Sequence, residues 1–184
     1  MLTTRSITQN ITHGQQSIPL KHILKGLDAF YEKVKSKLQI SYVNQDMNGS
    51  YVYFKVPSED KPIYYDVVIW FKNLKKTSLD TELKVYSNSP HFGYNFVYVF
   101  NQNQSLLFPS NYGNTFISNP PTTRNPFQTA GFDKHVYAAL KYSYKLDLES
   151  ATAFFVDKPK PKVLTFRQME IQLKSLTKKS KKRT

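Results

Sequence analysis

The chain has 184 residues, enough to bury a hydrophobic core within one domain. It has no cysteine, which excludes disulfide bonds, thiol nucleophiles and metal sites built from thiolates. Its net charge is +13, and residues 158–184 carry +9 of that charge. The sequence shows no secretory signal and no membrane-spanning stretch, so we expect a protein made in the cytoplasm, without a membrane partner and without a cofactor.

The N-terminal part of the chain predicts an arm, a helix and a β-hairpin. Residues 1–16 are polar and aperiodic, which predicts an extended arm that is ordered when a neighbouring molecule holds it. An α+β domain is expected over residues 17–157, and it begins with an amphipathic helix capped by Ser17. After the helix, apolar residues recur at every second position, which is typical of β-strands. Asn48-Gly49 between the two runs is typical of a type I′ turn.

Three further strands are predicted after this hairpin. Residues 63–71 form a long β-prone run, which predicts a central strand buried on both faces apart from Asp66. Residues 81–86 and 94–100 show the composition of two more strands. The sequence therefore predicts an α+β fold whose antiparallel sheet has about five strands.

The C-terminal part predicts a long loop, a helix and a basic extension. Residues 101–131 read as a loop, and a loop of this length is usually functional or held by a partner. A second helix is predicted near residues 133–144, and a third lies within the basic extension at residues 158–184. The cations that could meet DNA or another polyanion are Lys174, Lys178, Lys179, Lys181, Lys182 and Arg183. A solubilising tail has the same composition, so both alternatives stay open.

Three short motifs between residues 85 and 143 form a recognisable pattern. They are Ser87-Asn-Ser89-Pro-His-Phe, Arg124-Asn-Pro and Gly131-Phe-Asp-Lys-His-Val-Tyr. The pattern resembles SWIM-type zinc fingers, and more narrowly a cysteine-bearing version, Cys-x-Cys-Pro-x-Phe, Arg-Asn-Pro and Cys-Lys-His, that belongs to structural proteins of tailed bacteriophages. The resemblance covers about a third of the chain.

The resemblance assigns the four metal-ligand positions to Ser87, Ser89, Asp133 and His135. Zinc requires thiolate or imidazole ligands, and a serine hydroxyl is not deprotonated at neutral pH. We therefore expect no metal at these positions. Instead, we predict that the four side chains lie close together without an ion, with Asp133 as the N-cap of the second helix.

A second pattern suggests a metal-dependent nuclease. Asp66 on the central strand, followed by Glu82 and Lys84 on the next, has the acid, acid-x-lysine order of restriction-type nucleases. In such enzymes the carboxylates hold a divalent ion and the lysine positions a water molecule. Exposed Glu and Lys on a strand are also typical of a solvated surface, so the pattern is an alternative rather than an assignment.

The expected function follows from the resemblance. It implies a non-enzymatic structural protein of a tailed-phage virion, located in the capsid, neck or tail and made in the host cytoplasm. Its partners would be other virion proteins in a homo- or hetero-oligomeric assembly, with the basic C-terminus directed to DNA or an acidic partner. The alternative function is a DNA-binding protein or the nuclease described above.

Overall fold

The structure of the chain is a computed structural model, and it describes residues 1–7, 9, 20–46, 49–72, 80–125 and 128–145. Several predicted features lie outside these residues, among them the cap at Ser17, Asn48 of the predicted turn, the helix in the basic extension and the six C-terminal cations. Within the described part, no helix is both long and apolar enough to cross a membrane.

Five strands form one antiparallel sheet in the described residues. They are β1 (Leu2–Thr3), β2 (Gln39–Asp46), β3 (Gly49–Pro57), β4 (Tyr64–Phe71) and β5 (Glu82–Ser87). Their order across the sheet is β1-β5-β4-β3-β2, and each neighbouring pair is antiparallel. The predicted hairpin is the β2–β3 pair.

Five helices accompany the sheet in the described residues. They are α1 (Leu20–Val34), α2 (Pro90–Asn95), α3 (Val97–Gln102), α4 (Asn114–Ser118) and α5 (Lys134–Lys145). Residues 4–7 are also helical, and short 3-10 turns lie at Lys35–Lys37 and Pro109–Asn111. The fold is therefore α+β, as predicted, and α5 is the helix expected near residues 133–144.

The sheet is buried on both faces. Alternate β4 side chains, Val67, Ile69 and Phe71, enter the main core with α1 and α5, because α5 lies across β3, β4 and β5. The intervening residues Val68 and Trp70 enter a second cluster with tyrosines of β3 and β5. This arrangement confirms the prediction of a central strand buried on both faces.

The prediction of a strand at residues 94–100 is wrong, because this segment forms the end of α2 and most of α3. Its valines and aromatic residues favour a strand by composition, but Ser89 caps α2 and Pro90 occupies the first turn. The fifth strand is instead β1 at the N-terminus.

The first residues of the predicted arm are held by the domain itself. Leu2 pairs with Leu83 of β5, and its N–H donates to Ser105 Oγ at 2.6 Å. Ile7 is fully buried in the main core. The prediction of an arm ordered by a neighbour is therefore wrong for residues 1–7.

The predicted loop at 101–131 is partly regular structure. Residues 105–107 run along the outer edge of β5, where the Val85 N–H donates to the Ser105 carbonyl at 2.8 Å and the Leu107 N–H to the Val85 carbonyl at 2.9 Å. Helix α4 and a 3-10 turn follow. The chain's own sheet edge thus positions this segment.

The prediction that Gly49 is a central turn residue of the β2–β3 hairpin is wrong, and Asn48 lies outside the described residues. Asp46 pairs with Gly49, so Gly49 is the first residue of β3 rather than a central turn residue, and its φ is not positive. A Cβ at Gly49 would collide with the Phe71 carbonyl and the Trp70 indole. Glycine is needed here because another strand approaches closely.

We predict that Gly49→Ala lowers the free energy of unfolding by about 1–3 kcal/mol, because neither the Phe71 carbonyl nor the packed Trp70 ring can easily move away. Gly26→Ala is the matched control, since a Cβ at Gly26 in the middle of α1 meets nothing within 4 Å. That control should stabilise the protein by about 0.5–1 kcal/mol through helix propensity. Urea denaturation measures both, and equal effects of the two substitutions would contradict the close approach.

Candidate functional site

Strand β5 ends at Ser87, and Ser89 starts α2 two residues later. Ser89 Oγ accepts a hydrogen bond from the Phe92 N–H at 3.1 Å, and this bond caps the helix. The Ser89 N–H donates to Ser87 Oγ at 3.2 Å, and Ser89 Oγ donates to Asp133 Oδ2 at 2.9 Å. Both serines are buried. The two serines are therefore linked to each other and to Asp133.

Asp133 is fully buried and caps α5, as predicted. Its Oδ1 accepts the backbone N–H groups of His135 at 2.9 Å and Val136 at 3.3 Å. These N–H groups have no partner inside the helix, so the carboxylate satisfies donors that would otherwise be unpaired. Through Ser89, this carboxylate joins the start of α2 to the start of α5 across 44 residues of sequence.

Two histidines add to the contacts of Asp133. His135 Nδ1 lies 3.0 Å from Oδ1 and is buried, whereas His91 Nδ1 lies 3.3 Å from Oδ2 and is exposed. Both distances place a proton on Nδ1, facing the carboxylate. The His135 ring is packed between Phe30 and Tyr65, at centroid distances of 5.3 and 4.5 Å. Its Nε2 is buried without a hydrogen-bond partner among the described residues.

These contacts decide the charge of Asp133. Burial acts to raise its pKa, but hydrogen bonds from His135 and His91 and the charges of these rings hold the pKa well below its usual value of 3.8. The side chain is therefore an ionised acceptor at neutral pH. An ionised carboxylate in a fully buried position is stable only because so many donors surround it.

The structure brings together the four predicted positions Ser87, Ser89, Asp133 and His135 as one hydrogen-bonded cluster. The proximity predicted from the motif is confirmed by these contacts. Within the part of the chain that the structure describes, no group of three or more His, Asp or Glu side chains is arranged to hold a metal ion. The cluster's observed chemistry is hydrogen bonding between two segments.

The other two motifs also pack on α2. The Arg124 guanidinium lies 4.8 Å from the centroid of the Tyr94 ring. Asn125 Nδ2 donates to the Asn95 carbonyl at 2.9 Å and to the Thr129 carbonyl at 2.8 Å. A Cβ at Gly131 would lie 2.7 Å from the Phe96 ring. Phe92 of the first motif is fully buried, and Pro126 of the second lies outside the described residues.

Sequence reasoning missed the roles of Asn125 and His91. Asn125 is buried and organises the loop before α5, because its Oδ1 also accepts the Thr129 N–H at 3.1 Å. Its place between Arg124 and Pro126 in a short motif was the available signal. His91 gave no comparable signal, since its contact with Asp133 depends on the fold.

The three residues of the nuclease alternative do not converge. Asp66 lies opposite Asn88 at one end of the β4–β5 pair, whereas Glu82 lies opposite Lys72 at the other end. Six residues of strand separate the two ends, which is about 20 Å. Lys84 pairs with Trp70, and its Nζ lies 5.4 Å from the indole ring. The two carboxylates are therefore too far apart to hold one metal ion.

Asp66 instead has a structural role. It is buried, contrary to the sequence prediction, and accepts hydrogen bonds from the Tyr53 hydroxyl, from Lys55 Nζ at 3.1 Å and from Asn88 Nδ2 at 2.9 Å. The pKa of Tyr53 is raised above its usual range, mainly by burial and then by the charge of Asp66 and the hydrogen bond between the two side chains. Asp66 thus fixes the start of β4 against the end of β5.

We predict that Asp133→Asn lowers the free energy of unfolding by about 1–3 kcal/mol at pH 7, because asparagine keeps the cap but loses the charge that the surrounding donors stabilise. The folded-state pKa lies below the ordinary 3.8. The difference in the free energy of unfolding between wild type and variant should therefore reach its full size above about pH 5. It should disappear as the pH falls through the pKa of Asp133 in the folded state.

Urea denaturation at pH 7, 5 and 3 measures this dependence. The exposed residue Asp60 supplies the control, and Asp60→Asn should change stability by less than about 0.5 kcal/mol. A difference between wild type and Asp133→Asn that already shrinks between pH 7 and pH 5 would show that burial raises the Asp133 pKa instead.

We predict that Asn125→Ala lowers the free energy of unfolding by about 2–4 kcal/mol, because it leaves the Asn95 and Thr129 backbone groups without their partner. The control is Asn119→Ala, which changes an exposed asparagine in the same loop and should have little effect. Thermal unfolding followed by circular dichroism compares them, and equal stabilities of the two variants would contradict the role given to Asn125.

Comparison with known proteins gives no relative. No protein-family model, no curated protein and no solved structure matches the chain. A function therefore has to be inferred from the contacts described above and from the resemblance in sequence.

Proposed function

We propose that this chain is a non-enzymatic structural component of a tailed-phage virion, which acts through contacts with other virion proteins. One observation carries the proposal. Ser87, Ser89, Asp133 and His135, the four ligand positions of the motif, form a single hydrogen-bonded cluster although more than 40 residues separate its two halves. A chance match of short motifs gives no reason for these positions to meet.

The packing of the remaining motif residues supports the same proposal. Arg124 and Asn125 contact Tyr94 and Asn95 of α2, and Gly131 lies against Phe96 directly after that helix. Residues of all three motifs thus lie around α2. In this proposal, hydrogen bonds among buried polar groups have replaced the metal as the link between α2 and α5.

The surface charges favour a protein partner for the described part of the chain. Several of its lysines are paired with carboxylates: Lys33 and Lys134 with Glu59, Lys35 with Glu32, and Lys141 with Asp28. Large apolar side chains are exposed elsewhere, at Ile63, Tyr64 and Tyr94. Nucleic-acid surfaces instead present unpaired cations along the phosphate backbone. The basic C-terminus is the part that we assign to DNA or an acidic partner.

We predict that the chain is incorporated when it is produced together with the major virion proteins encoded beside it. The measurement is mass spectrometry of particles purified on a density gradient. The particles are then washed in about 1 M salt, at which the Debye length is about 3 Å and purely electrostatic binding to DNA is lost. The chain should remain with the washed particles and should also be present in shells that contain no DNA.

Two results would contradict the proposal. The first is a chain that stays monomeric and is absent from the particles. The second is a chain that is present in DNA-filled particles and is removed by the salt wash, which would favour the DNA-binding alternative. An assay for Mg²⁺-dependent nicking of DNA by the wild-type chain tests the nuclease alternative, and cleavage would contradict a non-enzymatic role.

A further inference from the structure

Tyr94 forms an exposed aromatic ridge together with Phe116. Tyr94 is 50% exposed on α2, and its ring meets the Phe116 ring of α4 edge-on, at a centroid distance of 5.1 Å. A cavity of about 340 Å³ lies on one side of the pair and a cavity of about 510 Å³ lies on the other. Both cavities are lined by Gly93, Tyr94 and Phe116, so the ridge separates two adjoining depressions.

The linings of the two cavities differ from the rest of the surface in charge. Both linings combine aromatic residues and prolines with uncharged polar residues: Tyr86 and Tyr112 with serines and asparagines in the smaller cavity, and Tyr98, Pro120 and Pro121 with threonines and asparagines in the larger one. Within the described part of the chain, Arg124 is the one charged side chain in either lining. The ion pairs of the described residues include no carboxylate for Arg124, in contrast to the lysines of α1 and α5.

Hydrogen bonds and ring contacts hold the residues of the ridge in place. Asn125 fixes the loop that carries Arg124 to the Asn95 carbonyl of α2, and Arg124 in turn lies over the Tyr94 ring. The Tyr112 hydroxyl donates to the Ser87 carbonyl at 2.9 Å and accepts the Ser87 N–H at 3.0 Å. A surface held in place before binding loses less conformational entropy when a partner arrives.

The residues that line the two cavities favour a peptide over a nucleic acid as the ligand. A nucleic-acid strand requires several cations along its backbone, and this surface supplies one. An extended peptide places successive side chains on opposite sides, which suits two cavities divided by a ridge. Tyrosine and arginine are also the residues that most often dominate protein interfaces. The guanidinium has no carboxylate partner among the described residues, and this absence together with the chain's positive charge favours a partner that carries a carboxylate.

We propose that the Tyr94 ridge binds an extended acidic segment of another virion protein. Apolar side chains of that segment enter the two cavities, and a carboxylate pairs with Arg124. The inference rests on the proposed structural role in the virion, because it names the surface through which one subunit contact is made.

The test uses the full chain as bait for a yeast-displayed library of random peptides of about 12 residues, which span about 40 Å when extended. We expect the selected peptides to combine Asp or Glu with Pro or other apolar residues. Binding should weaken about 30-fold with Tyr94→Ala and with Arg124→Glu, as expected for central interface residues. Arg124→Lys should retain part of the affinity, because it keeps the charge but loses the planar stacking on Tyr94.

Matched controls separate the ridge from general surface effects. Tyr64→Ala removes a tyrosine that is 43% exposed on β4, and Lys37→Glu reverses an exposed charge near α1. Neither control should change peptide binding, and circular dichroism should show that all variants remain folded. The inference is overturned if no selected peptide loses binding with Tyr94→Ala, if the selected peptides are basic, or if an oligothymidine strand displaces them.

The two proposals fail in different ways. A wild-type chain that binds acidic peptides at the ridge but never enters particles contradicts the virion role and leaves the peptide site intact. A chain that enters particles equally well as wild type, Tyr94→Ala and Arg124→Glu contradicts the ridge as the contact surface and leaves the virion role intact.

Discussion

The buried charge of Asp133 is the constraint on which the domain depends. A carboxylate without access to water is stable when donors surround it, and here the donors come from three places: the Ser89 hydroxyl, the first turn of α5, and the rings of His91 and His135. The start of α2 and the start of α5 must therefore lie together. Since α5 covers three strands of the sheet, this contact fixes the end at which α5 begins to pack on the core.

The proposed origin of the cluster in a metal clamp requires that the fold persist without the metal, and the Asp133 contacts meet this requirement. A zinc ion joins distant segments by accepting electron pairs from both, and an ionised carboxylate joins them by accepting hydrogen bonds from both. Ser89 suits the second arrangement because its hydroxyl can donate to Asp133 while its oxygen caps α2. The cluster lies on the buried side of α2, whereas Tyr94 on the same helix is half exposed.

Sequence periodicity predicted the elements whose burial is regular, and the cap at Asp133 followed from residue type. The prediction of a strand at residues 94–100 was wrong because valines and aromatic residues favour strands. The signal that decides the structure there is the helix cap and the proline that precede the segment. The strand Leu2–Thr3 is too short to show a period. Gly49 was assigned to a turn, whereas the structure shows that glycine is needed there because another strand approaches closely, which no local sequence pattern reports. The His91 contact is equally non-local.

Restoring the thiolates tests the origin of this cluster. In a chain with Ser87→Cys, Ser89→Cys and Asp133→Cys, the cysteines and His135 should bind one Co²⁺ in tetrahedral geometry, visible as intense absorption bands in the visible range. The chain with the two serine substitutions alone, which keeps Asp133, should bind Co²⁺ more weakly and without the full thiolate signal. A folded triple variant that shows no tetrahedral Co²⁺ spectrum would contradict a converted metal clamp and, with it, the resemblance on which the proposed virion role depends.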